Sequence, residues 1–324
     1  MRSILASEYG NFELILVEDR SQDRTLEVMN ALSREDPRVI VVPVKELPDG
    51  WTGKTHALYH GTRRASGEIL LYTDADVWLN PSALTCTLNH FAVNNLDMLS
   101  LLPGFVERGF RESAVYPHLA LGFCYFFPLD KVNDATREEA MASGCFIMIR
   151  RSVYEEIGTW KRLKNEITED VALGKVVKAA GHRLNVVRGD EWVRTKPFER
   201  VADVCRFWER TFYGSLEKNL HKILRLTVNY ATLTLLSVTF LLALYLVLSG
   251  THSLPAMILL IVSALAMAGI IIPFCVFLKK TDQGPWLYAL AAPLGILVCL
   301  KVALTTLFAV VSGRGIRWRG SLYR

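Results

Sequence analysis

The chain has 324 residues, of which 51% are hydrophobic, with 37 Lys and Arg against 32 Asp and Glu for a net charge of +5. That is too apolar for a single soluble globule, and the excess lies after Leu226, in a region with almost no charge. The modest positive balance sits partly beside the apolar segments, so it suits anionic lipid headgroups and argues against a nucleic-acid partner.

Through the first 225 residues strand and helix patterns alternate, which predicts an open, largely parallel α/β sheet with helices on both faces. FELILVE (12–18) reads as a buried strand, Ser21 as the cap of a helix running to about Arg34, and RVIVVPV (38–44) as the next strand. A helix follows from about Lys54 to Ala65, then a strand ending at Thr73, then Asn80 and Pro81 as cap and first residue of another helix. DMLSLL (97–102) is a further strand. The apolar, aromatic stretch 116–129 suits a membrane surface. CFIMIR (145–150) resumes as a strand, Ser152 caps a short helix ending near Gly158, and Thr168 caps one ending near Gly181.

Three apolar segments follow, at 226–248, 254–278 and 286–311, each long enough for a helix to cross a bilayer, which takes about 20 residues. Lys218, Lys222 and Arg225 ahead of the first predict that residues 1–225 lie on the cytoplasmic side of the inner membrane. Lys279 and Lys280 then return inside. A third full crossing would put Arg314, Arg317, Arg319 and Arg324 outside. Because the third segment carries Pro293, Gly295 and Lys301, a broken or re-entrant segment stays open beside it. The six cysteines (Cys86, Cys124, Cys145, Cys205, Cys275, Cys299) have no C-x-x-C or Cys/His spacing, so a reduced compartment fits and neither zinc nor a disulfide framework is expected.

Candidate chemistry sits at strand ends and helix starts. Glu18 and Asp19 end the first strand, where an acceptor side chain can read a nucleoside; a turn with a helix cap explains them equally well. Trp51-Thr52-Gly53-Lys54 opens a helix, so Lys54 can reach a phosphate or sugar, although the spacing is not that of a P-loop and a lysine at a helix start is usually just solvated. Asp74-Ala75-Asp76 closes an apolar strand, and two carboxylates so close repel unless a cation or hydrogen bonds compensate. Ser143-Gly144-Cys145-Phe146 leaves room for close approach of a ligand, or forms a tight turn. Thr168-Glu169-Asp170 starts a helix, where acidic residues are favoured by the dipole and where Asp170 can serve as a general base.

In this order the segments resemble the family 2 glycosyltransferases of GT-A fold over most of residues 8–215. VEDRSQD is similar to the family's V-D-D-G-S-x-D, with Glu18 and Arg20 in place of its first aspartate and its glycine. TDAD holds a D-x-D, SGCFIMIRRSVYEEIG resembles the acceptor-side stretch, and TEDVALGKVVKAAG resembles the T-E-D helix. The W-x-G-K, the apolar segments and the tail GRGIRWRGSLYR are most similar to the lipid-glycosylating branches: ceramide glucosyltransferase, hopanoid-associated and carotenoid-associated enzymes.

The resemblance implies a Rossmann-like GT-A domain over 1–205, lacking the family's usual first strand and P-x-R-N-E-type loop, so that either the start lies too far downstream or the chain is a fragment. An interfacial helix at 206–225, a membrane region at 226–312 and a basic tail at 313–324 would follow. It also implies roles: Asp170 as catalytic base, Glu18, Asp19, Lys54, Asp74 and Arg206 on the nucleotide-sugar, Gly144, Cys145, Glu169 and Trp208 on the acceptor side, and Asp76 on Mg²⁺ or Mn²⁺. The expected function is inverting transfer of one sugar from a nucleotide-diphospho-sugar, UDP foremost, to a membrane lipid hydroxyl. The alternatives are a polyprenyl-phosphate sugar transferase and a non-catalytic scaffold. The Q-x-x-R-W of processive synthases is not present; the nearest text is Asp203-Val204-Cys205-Arg206-Phe207-Trp208.

Overall fold

A computed structural model describes residues 1–106, 109–281, 285–318 and 321–323. They fall into two units, one of residues 1–106 and 127–196, the other of 107–126 and 197–324.

The first unit opens with a short helix α1 (Arg2–Leu5), then β1 (Leu14–Asp19), α2 (Thr25–Glu35), β2 (Val39–Val44) and α3 (Gly53–Thr62). β3 (Ile69–Tyr72) and β4 (Val77–Leu79) flank the two aspartates, and α4 (Ala83–Val93), β5 (Met98–Leu102) and β6 (Gly104–Phe105) follow. After α5 (Phe110–Ala114) and α6 (Tyr116–Phe126), which belong to the second unit, come α7 (Leu129–Val132), β7 (Ile147–Arg150), α8 (Arg151–Glu156) and α9 (Thr159–Arg162). α10 (Glu169–Ala179), β8 (Leu184–Arg188) and β9 (Val193–Thr195) complete it.

The sheet is mixed where a largely parallel one is expected. The order β3-β7-β5-β8 has β7 antiparallel to both β3 and β5, and only β5/β8 parallel. A parallel neighbour needs a crossover along one face of the sheet. The chain between β5 and β7 instead passes into the second unit at residues 107–126, rejoins the first at Phe127, and reaches β7 through the turn at 143–146, which feeds it in reversed. β4-β9-β6 form a second small sheet, and β1 and β2 pair in parallel as a sheet of their own. Among the described residues no ladder joins β1 to β3. The α/β core is built from alternate strand residues and helix faces, with Leu99, Leu101, Phe146 and Met148 meeting Leu84, Phe91 and Val193.

Three helix starts differ from expectation. α2 begins four residues after Ser21, whose N–H is taken by Glu18 Oε1, so the serine ends the strand turn instead of capping the helix. α4 begins at Ala83, because 77–79 pairs as β4 and Asn80 Oδ1 accepts from Ser82. α8 starts at Arg151, ahead of Ser152.

The second unit contains α5, α6, α11 (Val201–Ser215), α12 (Leu220–Leu248), α13 (Leu254–Thr281), a 3-10 turn (Trp286–Ala291), α14 (Ala292–Val311) and the hairpin β10 (Ile316–Trp318) and β11 (Ser321–Tyr323). The boundary expected at 205/206 falls inside α11, and α12 starts six residues before the apolar run because Asn219 caps it through Lys222 N–H. Leu220–Leu248, Leu254–Lys279 and Trp286–Val311 are long and apolar enough to cross a membrane. α14 runs antiparallel to α12. Ile296 and Ala292 pack with Leu233, and the Tyr230 hydroxyl donates to His118 O of α6 at 2.8 Å. At its other end, Ala309 packs with Tyr213 of α11, and midway Lys301 pairs with Glu209.

Candidate active site

Four sequence segments far apart in the chain meet in the first unit. α3 carries Lys54 in its first turn, and Thr52 caps that turn by accepting from Thr55 N–H at 3.2 Å. Thr52 N–H and the Thr55 hydroxyl both donate to Lys164 O, each at 2.7 Å, which ties the start of α3 to the loop that leads into α10. Lys54 therefore reaches Glu169, with Nζ 2.7 Å from Oε1, and also Asp74 at the end of β3, 2.6 Å from Oδ1. Burial works against the charge on Lys54, but Glu169, Asp74 and Asp170 outweigh it, and its pKa rises above the ordinary lysine range.

Asp170 accepts the Gly144 N–H at 2.8 Å through Oδ2, while Oδ1 takes its neighbour Val171 N–H. A side chain at Gly144 would crowd all three groups, because its Cβ would lie 2.9 Å from Lys54 Nζ, 3.3 Å from Asp74 Oδ2 and 3.4 Å from Asp170 Oδ2. One turn further along α10, Gly174 seats the helix against the backbone of Met141, where a Cβ would approach the carbonyl carbon to 2.7 Å. The turn at 143–146 is itself held from two strands. The buried Ser100 hydroxyl donates to Phe146 O at 3.0 Å and accepts Ser143 N–H at 2.8 Å, and the Thr73 hydroxyl donates to Cys145 O at 2.8 Å.

The structure thus brings Lys54, Asp74, Gly144, Glu169 and Asp170 together. Glu169 is buried against Lys54, so it holds the lysine and is not itself presented to an acceptor. Cys145 lies close enough to feel Asp74 and Asp76; burial first, then Asp74, pushes its thiol up to about 12, so it is neutral and unreactive at ordinary pH. The Asp76 side chain is exposed and, among the described residues, has no ion-pair or hydrogen-bonding partner. At the end of β1, Glu18 is buried and accepts Ser21 N–H, while Asp19 is covered by Arg20, whose Nε and Nη2 donate at 2.8 and 3.2 Å. Trp51, just ahead of α3, packs back on that helix, with ring centroids 5.2 Å from His56 and 5.3 Å from Tyr59.

Arg206 and Trp208 lie on α11 in the second unit. Arg206 pairs with Asp203, and Trp208 is buried among Tyr116, Phe123, Phe207 and Phe212. An indole held on all sides in this way is core, and it is not an exposed acceptor platform or an interfacial anchor. Ser100, Thr73, Thr55 and Lys164 were not foreseen as site supports. Ser100 had a visible signal, a hydroxyl inside the apolar run DMLSLL, whereas Lys164 acts through its carbonyl and leaves no mark in the sequence.

Residues 1–158 match the family described as Glycosyl transferase family 2. Over that stretch the chain is similar to family 2 glycosyltransferase domains. The 4,4'-diaponeurosporenoate glycosyltransferase of Staphylococcus aureus (strain USA300) is 26% identical over 193 residues, covering 58% of this chain and 49% of that one. Its counterpart in the bovine strain RF122 / ET3-1 is 27% identical over 187 residues, 56% and 48% of the two chains. The chain spans about half the length of the curated relatives it matches. Among solved structures, S. aureus TarS aligns with TM-score 0.44 at 15% identity, over 100% of this chain and 53% of that one. TarS 1–349 in complex with UDP-GlcNAc aligns with TM-score 0.41 at 15% identity, over 99% and 90%.

Proposed function

We infer that the chain is an inverting glycosyltransferase that moves one sugar from a nucleotide-diphospho-sugar, UDP-linked, to the hydroxyl of a membrane lipid. The observation that carries this reading is the convergence of Lys54, Asp74, Glu169 and Asp170, from three separate segments, around the Gly144 backbone of a fourth. The apolar helices and a relative named for acting on 4,4'-diaponeurosporenoate support a lipid acceptor.

In the reaction, Lys54 offsets negative charge on the donor diphosphate, and Gly144 leaves room for the transferred sugar. Asp170, oriented by the Gly144 N–H, takes the acceptor hydroxyl proton as that oxygen attacks the anomeric carbon from the face opposite the leaving group. One displacement needs no enzyme nucleophile, so a single base suffices. The donor set fits Mg²⁺ or Mn²⁺: Asp76 is an exposed hard oxygen ligand next to Asp74. Among the described residues no three His, Cys, Asp or Glu side chains form a ready metal cage, so diphosphate oxygens would complete the shell. When bound there, the cation would neutralise charge on the leaving diphosphate.

α12 and α13 supply two crossings of the inner membrane, with the first unit on the cytoplasmic side by the Lys218, Lys222 and Arg225 rule. α14 starts beside Leu233, about halfway along α12, and ends beside Tyr213 of α11. It therefore re-enters without crossing and returns the basic tail to the cytoplasmic side. Reporter fusions at the C-terminus are expected to read as cytoplasmic; a periplasmic reading would restore a third crossing.

The full-length protein in detergent, screened with UDP-sugars and lipid extracts, is expected to release UDP only when donor, lipid and Mn²⁺ are all present. Failure to bind or turn over any nucleotide-sugar would leave the scaffold reading. Retention of activity in Asp170→Asn would instead favour a phosphate acceptor, which needs no base.

A further inference from the structure

We propose that Lys54 is the resident counter-ion of the site, and that its ammonium keeps free divalent cations out until a diphosphate arrives to carry one in. The inference rests on reading the site as one for a diphospho-sugar and adds an order of events to it. Among the described residues, the carboxylates of Asp74, Asp76, Glu169 and Asp170 lie in or beside the site. Lys54 holds two of them, at 2.6 Å from Asp74 and 2.7 Å from Glu169. Asp170 is engaged by the Gly144 and Val171 amides. That leaves Asp76, one exposed carboxylate.

A hard divalent cation takes about six oxygen ligands, and a single carboxylate with water binds it weakly. To recruit Asp74 as well, a free cation would have to displace an ammonium that already has two anionic partners, against like-charge repulsion. A diphosphate changes both conditions. Its oxygens supply ligands, and its charge gives Lys54 an alternative partner, which releases Asp74. The lysine has room for that movement: its side chain is 36% exposed, and the bare Cα of Gly144 faces its ammonium.

The test is Mn²⁺ uptake by the full-length protein in detergent, followed by electron paramagnetic resonance, with and without UDP. Wild type is expected to bind Mn²⁺ weakly alone and about tenfold or more tightly with UDP, as added oxygen ligands and charge require. Lys54→Gln is expected to bind Mn²⁺ without UDP about tenfold more tightly than wild type, since two carboxylates lose their cation. Lys54→Arg, which keeps the charge, should stay near wild type. Lys54→Met replaces the glutamine variant if the latter melts early in a thermal scan. Equal Mn²⁺ affinity in folded wild type and Lys54→Gln without UDP would overturn the proposal, as would tight binding to wild type alone. A gain in Lys54→Gln with no UDP effect on wild type would uphold the counter-ion and overturn the nucleotide reading.

Discussion

On the side of the first unit that carries Asp170, buried side chains from several elements converge on one turn: Ser100 from β5, Thr73 from the end of β3, Asp170 from α10. On the side that carries Glu18 and Asp19, β1 and β2 form a separate two-stranded sheet whose buried cluster is Leu16, Leu32 and Val39. A pair of strands is marginal without further strands or a helix packed on it. Here α2 packs on the strands through Leu32 and Met29, and α3 adds a second contact, its Gly61 lying against Val17, while Thr52 and Thr55 tie its start to Lys164. The Asp170 side is therefore held by side-chain hydrogen bonds from several elements, while the Glu18–Asp19 side is positioned by the packing of α2 and α3 on two strands.

The largest effect is expected at Asp170. Asp170→Asn keeps the size of the side chain and removes the base, so transfer should fall by about 10²–10⁴-fold. UDP affinity should hold, because the base is not on the nucleotide. Coupled UDP-release kinetics with an equilibrium UDP titration separate the two, and a parallel loss of UDP binding would mean that Asp170 serves structure on both sides.

Gly174→Ala tests the hold on the Asp170 side directly. A methyl group facing the Met141 carbonyl carbon at 2.7 Å must push α10 off the backbone it rests on. Overpacking of this kind costs roughly 1–3 kcal/mol, and the shift travels one turn to Asp170. The thermal midpoint and the transfer rate should fall together, with UDP binding spared. Ser100→Ala is milder. Phe146 O keeps the Leu101 N–H, but Ser143 N–H is left unpaired, for about 1 kcal/mol. A fall in transfer rate larger than the change in stability would place Ser100 among the residues that position Gly144.

These side-chain ties explain which parts of the site were legible in sequence. Glu169 and Asp170 at a helix start, Asp74 at a strand end and Gly144 before a strand each have a local pattern that singles them out as candidates, but no local pattern says that Lys54 joins two of them. The joining depends on Lys164 O, a backbone atom that any residue supplies. The strand order failed for a related reason. CFIMIR reads as a buried strand in either direction, and its reversal follows from the path of the intervening chain and not from its own residues. Trp208 was misread because an aromatic on an amphipathic helix looks the same facing lipid, ligand or core; the rings that enclose it come from α6 as well as α11. β4 was missed because three residues are too few to show a period.

The smallest effect is expected on the nucleoside side, at Arg20. Its backbone sits at φ 58, in the left-handed region that a glycine enters freely, and the family pattern has glycine at this point. An L-residue there costs roughly 1–2 kcal/mol. Against that stands the exposed ion pair with Asp19, at 2.8 Å, of a kind worth about 0–1 kcal/mol. Arg20→Gly should therefore leave stability unchanged or raise it slightly in a denaturant titration. It also uncovers Asp19, so UDP should bind more tightly if that carboxylate contacts the nucleoside. A loss of stability beyond the value of an exposed pair would show that Arg20 holds the end of β1 in place. The Glu18–Asp19 side would then depend on a salt bridge as well as on the packing of α2 and α3.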